Sequence, residues 1–162
     1  MFIALFIHPK TDVEHFLNNT KFIELLQNSS YYLNIYYSDN QKFTEFLNLF
    51  NTFELPFNNI YYDTMQNNKN NSIDHFIQSS EEIYFNLDTN VSLYSYSFLN
   101  NSYLTSILTP LVKKQNELFS NFWGEVDENG FYKRSDDYLA IVNRTKVGTF
   151  DAKYTNSCFV IH

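Results

Sequence analysis

Six consecutive apolar residues, Phe2–Ile7, open the chain before His8-Pro9-Lys10 breaks the run. A strand that is apolar at every position must be covered on both faces, as in a parallel sheet flanked by helices. The following residues keep to that plan. Thr11 or Asp12 can cap a helix, and Glu14 stands three residues after Thr11 as in a capping box. Val13, Phe16, Leu17, Ile23 and Leu26 mark a helical stripe to about Gln27. Tyr32–Tyr37 reads as a second strand. Asp39 opens a second helix, with Phe43, Phe46, Leu47 and Phe50 at spacings of three and four. Asn59–Tyr62 reads as a third strand, Asp63–Ser72 as a polar loop, Ile73–Gln78 as a brief helix, and Ile83–Leu87 as a fourth strand ending at Asp88.

This alternation predicts an α/β sandwich with a mostly parallel central sheet. Strands near 2–7, 32–37, 59–62 and 83–87 lie side by side, with helices near 12–27 and 40–51 packed on them. Beyond Asp88 the texture changes. Tyr94–Thr105 is ambiguous. Ile107–Val112, Phe122–Val126 and Val147–Phe150 read as short strands around a polar excursion, and Ser157–Ile161 as a final apolar strand. With no repeat and no linker, 1–162 reads as a single domain.

The core is built from rings: aromatics are 19% of the residues, so disorder is excluded and Phe and Tyr supply the buried volume. Net charge is −7, and no Lys/Arg cluster exceeds two neighbours. That excludes a nucleic-acid footprint and disfavours an anionic membrane surface. A single Cys158 makes no internal disulfide and leaves the redox compartment open. Residues 1–7 lack a basic leader and a small-residue cleavage site, so they read as a strand rather than a signal peptide. No apolar run approaches the roughly 20 residues of a membrane span.

Two constellations carry chemistry. In Ile83-Tyr84-Phe85-Asn86-Leu87-Asp88-Thr89-Asn90, a strand ends in Asp-x-Asn. Ligands of α/β sheets sit beyond the carboxyl ends of strands. In the Asp-x-Asp form of this turn, two carboxylates approach one hard divalent cation, which binds a donor diphosphate and stabilises it as a leaving group. Here Asn90 offers a neutral carbonyl oxygen in the last position, a weaker ligand. The plainer alternative is that Asp88 ends a strand in a turn. The second constellation is Ser120-Asn121-Phe122-Trp123-Gly124, followed by Phe131-Tyr132-Lys133-Arg134-Ser135-Asp136-Asp137-Tyr138. Trp123 can serve as a platform for a sugar ring or a base, and Gly124 permits close backbone approach. Asp127-Glu128-Asn129-Gly130 looks like a hairpin turn. Asp136 or Asp137 can orient an acceptor hydroxyl or act as a general base. The alternative is a core Trp123 and a solvated charged loop. His8 follows the first strand, where a nucleotide cleft would open; His15 and His75 fall on helices and read as surface or packing residues. There is no H-x-D iron pattern with a distant His.

The second block resembles a signature of the collagen-lysine-modifying family, the procollagen lysyl hydroxylases and collagen hydroxylysine glycosyltransferases. The similarity runs in order through the first strand with Pro9, the Asp88-Thr89-Asn90 turn, Pro110, Ser120–Gly124, Tyr132–Tyr138, Val147–Phe150 and the last strand. It implies a glycosyltransferase fold of type A, a uridine-diphosphate-sugar (UDP-sugar) donor and manganese. It also implies collagen hydroxylysine as acceptor and the endoplasmic reticulum lumen as compartment. Under it, His8, Pro9, Asp88, Trp123 and Gly124 are expected at the donor, Asp88 and Asn90 at the metal, and Asp136 and Asp137 at the chemistry. In lysyl hydroxylases one copy of the domain is catalytic and a second copy is accessory; the accessory copy is the nearer likeness. Asn90 in place of a second Asp, and an end at His162 ahead of the region expected to add another metal ligand, set the second reading beside the first. That reading is a non-catalytic accessory module supporting a neighbouring hydroxylase or transferase domain, or a C-terminally truncated fold.

Overall fold

All six residues of strand β1 (Phe2–Ile7) are fully shielded from solvent, which accounts for the unbroken apolar run. The structure is a computed structural model. It describes residues 1–13, 16, 18–28, 31–92, 95, 97–99, 107–112, 120–153 and 158–162, and these fall into two compact units: 1–108 with 159–162, and 109–158.

In the first unit β1 is flanked by β2 (Tyr32–Tyr37) and β4 (Tyr84–Asp88), both parallel to it, and β3 (Asn59–Tyr62) lies parallel beyond β2. β8 (Phe159–Ile161) joins antiparallel to β4, and β5 (Ile107–Leu108) antiparallel to β8, giving the order β3-β2-β1-β4-β8-β5. The strands near 2–7, 32–37, 59–62 and 83–87 are thus neighbours, as expected. Helices α1 (Thr20–Asn28) and α2 (Asn40–Thr52) connect β1 to β2 and β2 to β3; α3 (Met65–Ile77) connects β3 to β4. Side chains alternate along a strand. The even-numbered face of β1, with Phe2, Ala4 and Phe6, packs with Tyr36 and Tyr84 beneath Met65 and Phe76 of α3. The odd-numbered face is left for α1 and α2, where Phe16 meets Phe22, Phe46 and Phe50 edge-on or tilted. Among the described residues no helix is long and apolar enough to cross a membrane.

Two expected helices differ. Val13 and Phe16 are helical, with a backbone bond from Phe16 to Asp12, but the chain leaves the helix at Asn18 and Asn19 before α1 begins at Thr20. Asn19 is buried and donates its carboxamide to the Val91 carbonyl at 2.9 Å, so a tertiary bond breaks the expected run. Glu14 and His15 lie outside the described residues. The loop expected at 63–72 is instead most of α3. Thr64 caps it through Asn67 N–H, and its inward residues Asn68 and Ser72 are polar but bonded. Helix periodicity read from apolar residues misses such a face.

The second unit holds the hairpin β6 (Gly124–Val126) and β7 (Tyr132–Arg134), then α4 (Tyr138–Val142). The expected turn at 127–130 is present. The Asp127 carboxylate accepts from Asn129 and Phe131 N–H, and Gly130 takes φ +85°. Val147–Phe150 is not a strand; its first residue is 84% exposed.

Candidate functional site

The chain order reverses at β1: β2 and β3 lie to one side, β4 to the other. Open α/β sheets bind ligands in the crevice at that reversal, outside the carboxyl ends of the strands. Those ends carry His8 and Asp88. The turn after β4 is locked to the turn after β1 by Thr89, which is fully buried. Thr89 N–H donates to the Phe6 carbonyl at 2.9 Å. Its hydroxyl accepts from His8 N–H at 3.0 Å and donates to Thr11 Oγ1 at 2.9 Å. Thr11 N–H returns to the His8 carbonyl, and Val91 N–H to the Asp88 carbonyl. The His8 ring is half-buried and accepts from Lys10 N–H at 3.2 Å; Pro9 and Asn90 are exposed.

Asp88 is 7% exposed. Its Oδ1 is buried without a hydrogen-bond partner among the described residues. Its Oδ2 faces the Lys69 ammonium of α3 at 3.7 Å. Burial pushes the carboxyl above its ordinary range, and Lys69 and His8 pull it back. A buried acid with one oxygen unmatched is costly to keep for folding alone and is characteristic of binding and catalytic sites.

The donor set fits poorly with manganese. No group of three His, Cys, Asp or Glu residues able to hold a metal occurs among the described residues. A divalent ion carried in on substrate phosphates needs only one or two carboxylates. Here one carboxylate is present and already faces an ammonium, while Asn90 is neutral and exposed. A dication at Asp88 would share that carboxylate with a monocation, and the two like charges would repel.

The other expected residues gather in the second unit. Asn121 is 5% exposed and ties the segment down: its Oδ1 accepts from Val112 N–H at 2.7 Å and its Nδ2 donates to the Pro110 carbonyl at 2.9 Å. Ser120 bonds both backbone groups of Phe122. Trp123 is half-buried, 6.4 Å from the Tyr132 ring, with the Arg134 guanidinium 6.0 Å from its ring centre and 4.8 Å from that of Tyr138. Gly124 has φ +83°, and a Cβ there would fall 2.5 Å from Ser135 Oγ, so the close approach it permits in this structure is to Ser135. The Ser135 hydroxyl donates to Asp137 Oδ1 at 2.7 Å, and Lys146 meets Asp137 Oδ2 at 2.7 Å. Both contacts hold the Asp137 carboxyl below its ordinary range. Asp136 is exposed and lines a groove of about 510 Å³ with Glu125, Asp127, Glu128, Lys133 and Arg134.

Thr89 and Lys69 are absent from the sequence-derived set. Thr89 gave a weak signal as the middle residue of the turn. Lys69 gave none, because it sits in an Asn-rich stretch with no apolar stripe.

A mixed α/β fold with a mostly parallel central sheet is the architecture of the type A-like nucleotide-sugar transferase domains. Residues 8–162 match glycosyltransferase family 25, N-terminal domain, and the chain belongs to that family. It is 37% identical over 82 residues to "Procollagen-lysine,2-oxoglutarate 5-dioxygenase 1" of Gallus gallus, covering 49% of this chain and 11% of the relative. It is 36% identical over 61 residues to "Multifunctional procollagen lysine hydroxylase and glycosyltransferase" of Caenorhabditis elegans, covering 38% and 8%. With "Multifunctional procollagen lysine hydroxylase and glycosyltransferase LH3" of Homo sapiens the identity is 32% over 82 residues, covering 49% and 11%. The matched segments span about a tenth of each relative's length.

Proposed function

We propose that the chain is a glycosyltransferase domain that takes a UDP-sugar at the Asp88 turn and passes its hexose to hydroxylysine in a collagen-like peptide. The observation that carries this is the buried, half-matched carboxylate of Asp88 at the winding reversal, locked to His8 through Thr89. Preorganised polar groups around a shielded carboxylate suit transfer chemistry. Within the second unit Asp136 is exposed whereas both oxygens of Asp137 are engaged, so Asp136 is the carboxylate of the signature block to test. A collagen-like acceptor and the procollagen names of the relatives agree with the endoplasmic reticulum lumen and with a neighbouring hydroxylase or transferase domain as partner. The test is release of uridine diphosphate (UDP) from UDP-galactose or UDP-glucose with a hydroxylysine-containing collagen peptide, with and without manganese. Release should depend on the peptide. Asp136→Asn should abolish it while leaving stability within about 0.5 kcal/mol, as for most surface substitutions.

The second reading is an accessory module, favoured by the exposed neutral Asn90 in the position where a second carboxylate would stand. Under it the same assay gives no release with either donor, and the chain acts by supporting an adjoining catalytic domain.

A further inference from the structure

We infer that Lys69 supplies the positive charge that the family resemblance assigns to manganese, so that the Asp88 turn takes a nucleoside diphosphate without a metal. This rests on the donor-site reading above. Lys69 is held from three directions. The neighbouring Asn68 donates its carboxamide to the Tyr37 and Asp63 carbonyls at 2.9 and 3.1 Å. Ser72 donates to the Lys69 carbonyl at 2.8 Å and shares a 2.8 Å hydrogen bond with the Tyr84 hydroxyl. The ammonium itself stands over the Phe6 ring, 5.8 Å from its centre, beside the carboxyl end of β4.

The ion pair is looser than a fold-stabilising one. A direct ammonium–carboxylate hydrogen bond closes to about 2.7–2.9 Å. Lys69 stops at 3.7 Å from Asp88 Oδ2, and its side chain remains 43% exposed. With the carboxylate buried and the ammonium held off at that distance, the attraction offsets only part of the desolvation cost. The spacing leaves the ammonium, with three donors, able to meet an anion from solvent. The free positions then sort by chemistry. Asp88 Oδ1, buried and unmatched, is an acceptor that suits a sugar or ribose hydroxyl. Lys69 is a cation that suits a phosphate. The two side chains together are neutral, so the trianionic diphosphate meets no net negative charge from this pair. Asn90, neutral and exposed, completes no metal cage.

The experiment is calorimetric titration of the full chain with UDP, and in parallel with uridine, in chelator and in millimolar manganese. Wild type, Lys69→Met and Lys69→Arg are compared, with melting curves for each. UDP should bind in chelator with a dissociation constant within about threefold of that in manganese, a difference of less than one tenfold step in affinity. Lys69→Met should weaken UDP in chelator by about tenfold or more and leave uridine unchanged, while Lys69→Arg should stay within about threefold of wild type. Binding of UDP only when manganese is present overturns the inference and leaves the donor-site reading standing. Binding to neither overturns both. A Lys69→Met protein that melts lower but binds UDP as wild type does makes Lys69 a structural partner only, which also overturns the inference.

Discussion

The two aspartates that the sequence put forward from different constellations sit in opposite circumstances. Asp88 is buried with one oxygen unmatched and its counter-charge held off at 3.7 Å. Asp137 is near the surface with a hydroxyl and an ammonium both at 2.7 Å. Burial moves the first carboxyl up in pKa, and bonding moves the second down. The difference teaches how to read an acid in a motif. A satisfied carboxylate at the surface fastens its own segment, whereas an under-satisfied one at a strand end is available to something else. The signature block Ser120–Gly124 with Ser135–Tyr138 is therefore first a folding device, in which Gly124, Ser135, Asp137 and Lys146 form one chain of contacts.

The largest expected effect probes that device. Gly124→Val forces a side chain at φ +83° into Ser135 and should destabilise the protein by about 3 kcal/mol or more in a denaturant titration, a size that belongs to steric and backbone mechanisms. Adding Ser135→Gly should restore part of the loss; a silent Gly124→Val would show that the hairpin is not locked in this way. Thr89→Val is the matching break in the first unit. It deprives His8 N–H and the buried Thr11 hydroxyl of a partner and should cost about 1–3 kcal/mol, read in the same titration.

The next two use pH and run in opposite directions. A carboxyl raised by the fold contributes stability at low pH that is lost as pH rises through its folded value. Asp88→Asn should therefore raise the melting temperature by a few degrees at neutral pH, with the gain vanishing as the wild-type acid becomes protonated. A melting temperature that falls at neutral pH would mean that the Lys69 pair outweighs burial. Asp137, lowered by the fold, contributes stability above its ordinary value near 3.8 that disappears as pH falls through its folded value. Asp137→Asn should give the smallest change, a slight drop in melting temperature at neutral pH, none in strong acid, and less at high salt.

The parallel half of the fold was readable because its strands obey a rule that leaves a trace: burial on both faces gives unbroken apolar runs such as Phe2–Ile7. The start of α3 left no such trace, since the helix turns Asn68 and Ser72 inward where Leu would be looked for. Asp88 was readable from its place at a strand end. Lys69 and Thr89 were not, because their roles arise from register across β1, β4 and α3 rather than from spacing along the chain. For Asp136 and Asp137 the spacing was visible but the division of labour was not. Adjacent acids look alike until one is seen to reach Ser135 and Lys146 and the other to face solvent.

The face of the sheet under α3 carries hydroxyl-tipped rings where many cores carry plain hydrocarbon. Tyr84 meets Ser72, Tyr36 meets His75 at 3.0 Å, and Asn59 donates to the Tyr32 hydroxyl at 2.7 Å. Greasy surfaces tolerate sliding, but addressed ones do not. A one-turn slip of α3 along the sheet would strand Ser72 and His75 away from their tyrosines, and each buried hydroxyl left alone costs about 1–3 kcal/mol. The helix that presents Lys69 is in this sense keyed to the sheet at two points along its length. A domain rich in Asn thereby fixes one ammonium to within a single helical turn of where the sheet can use it.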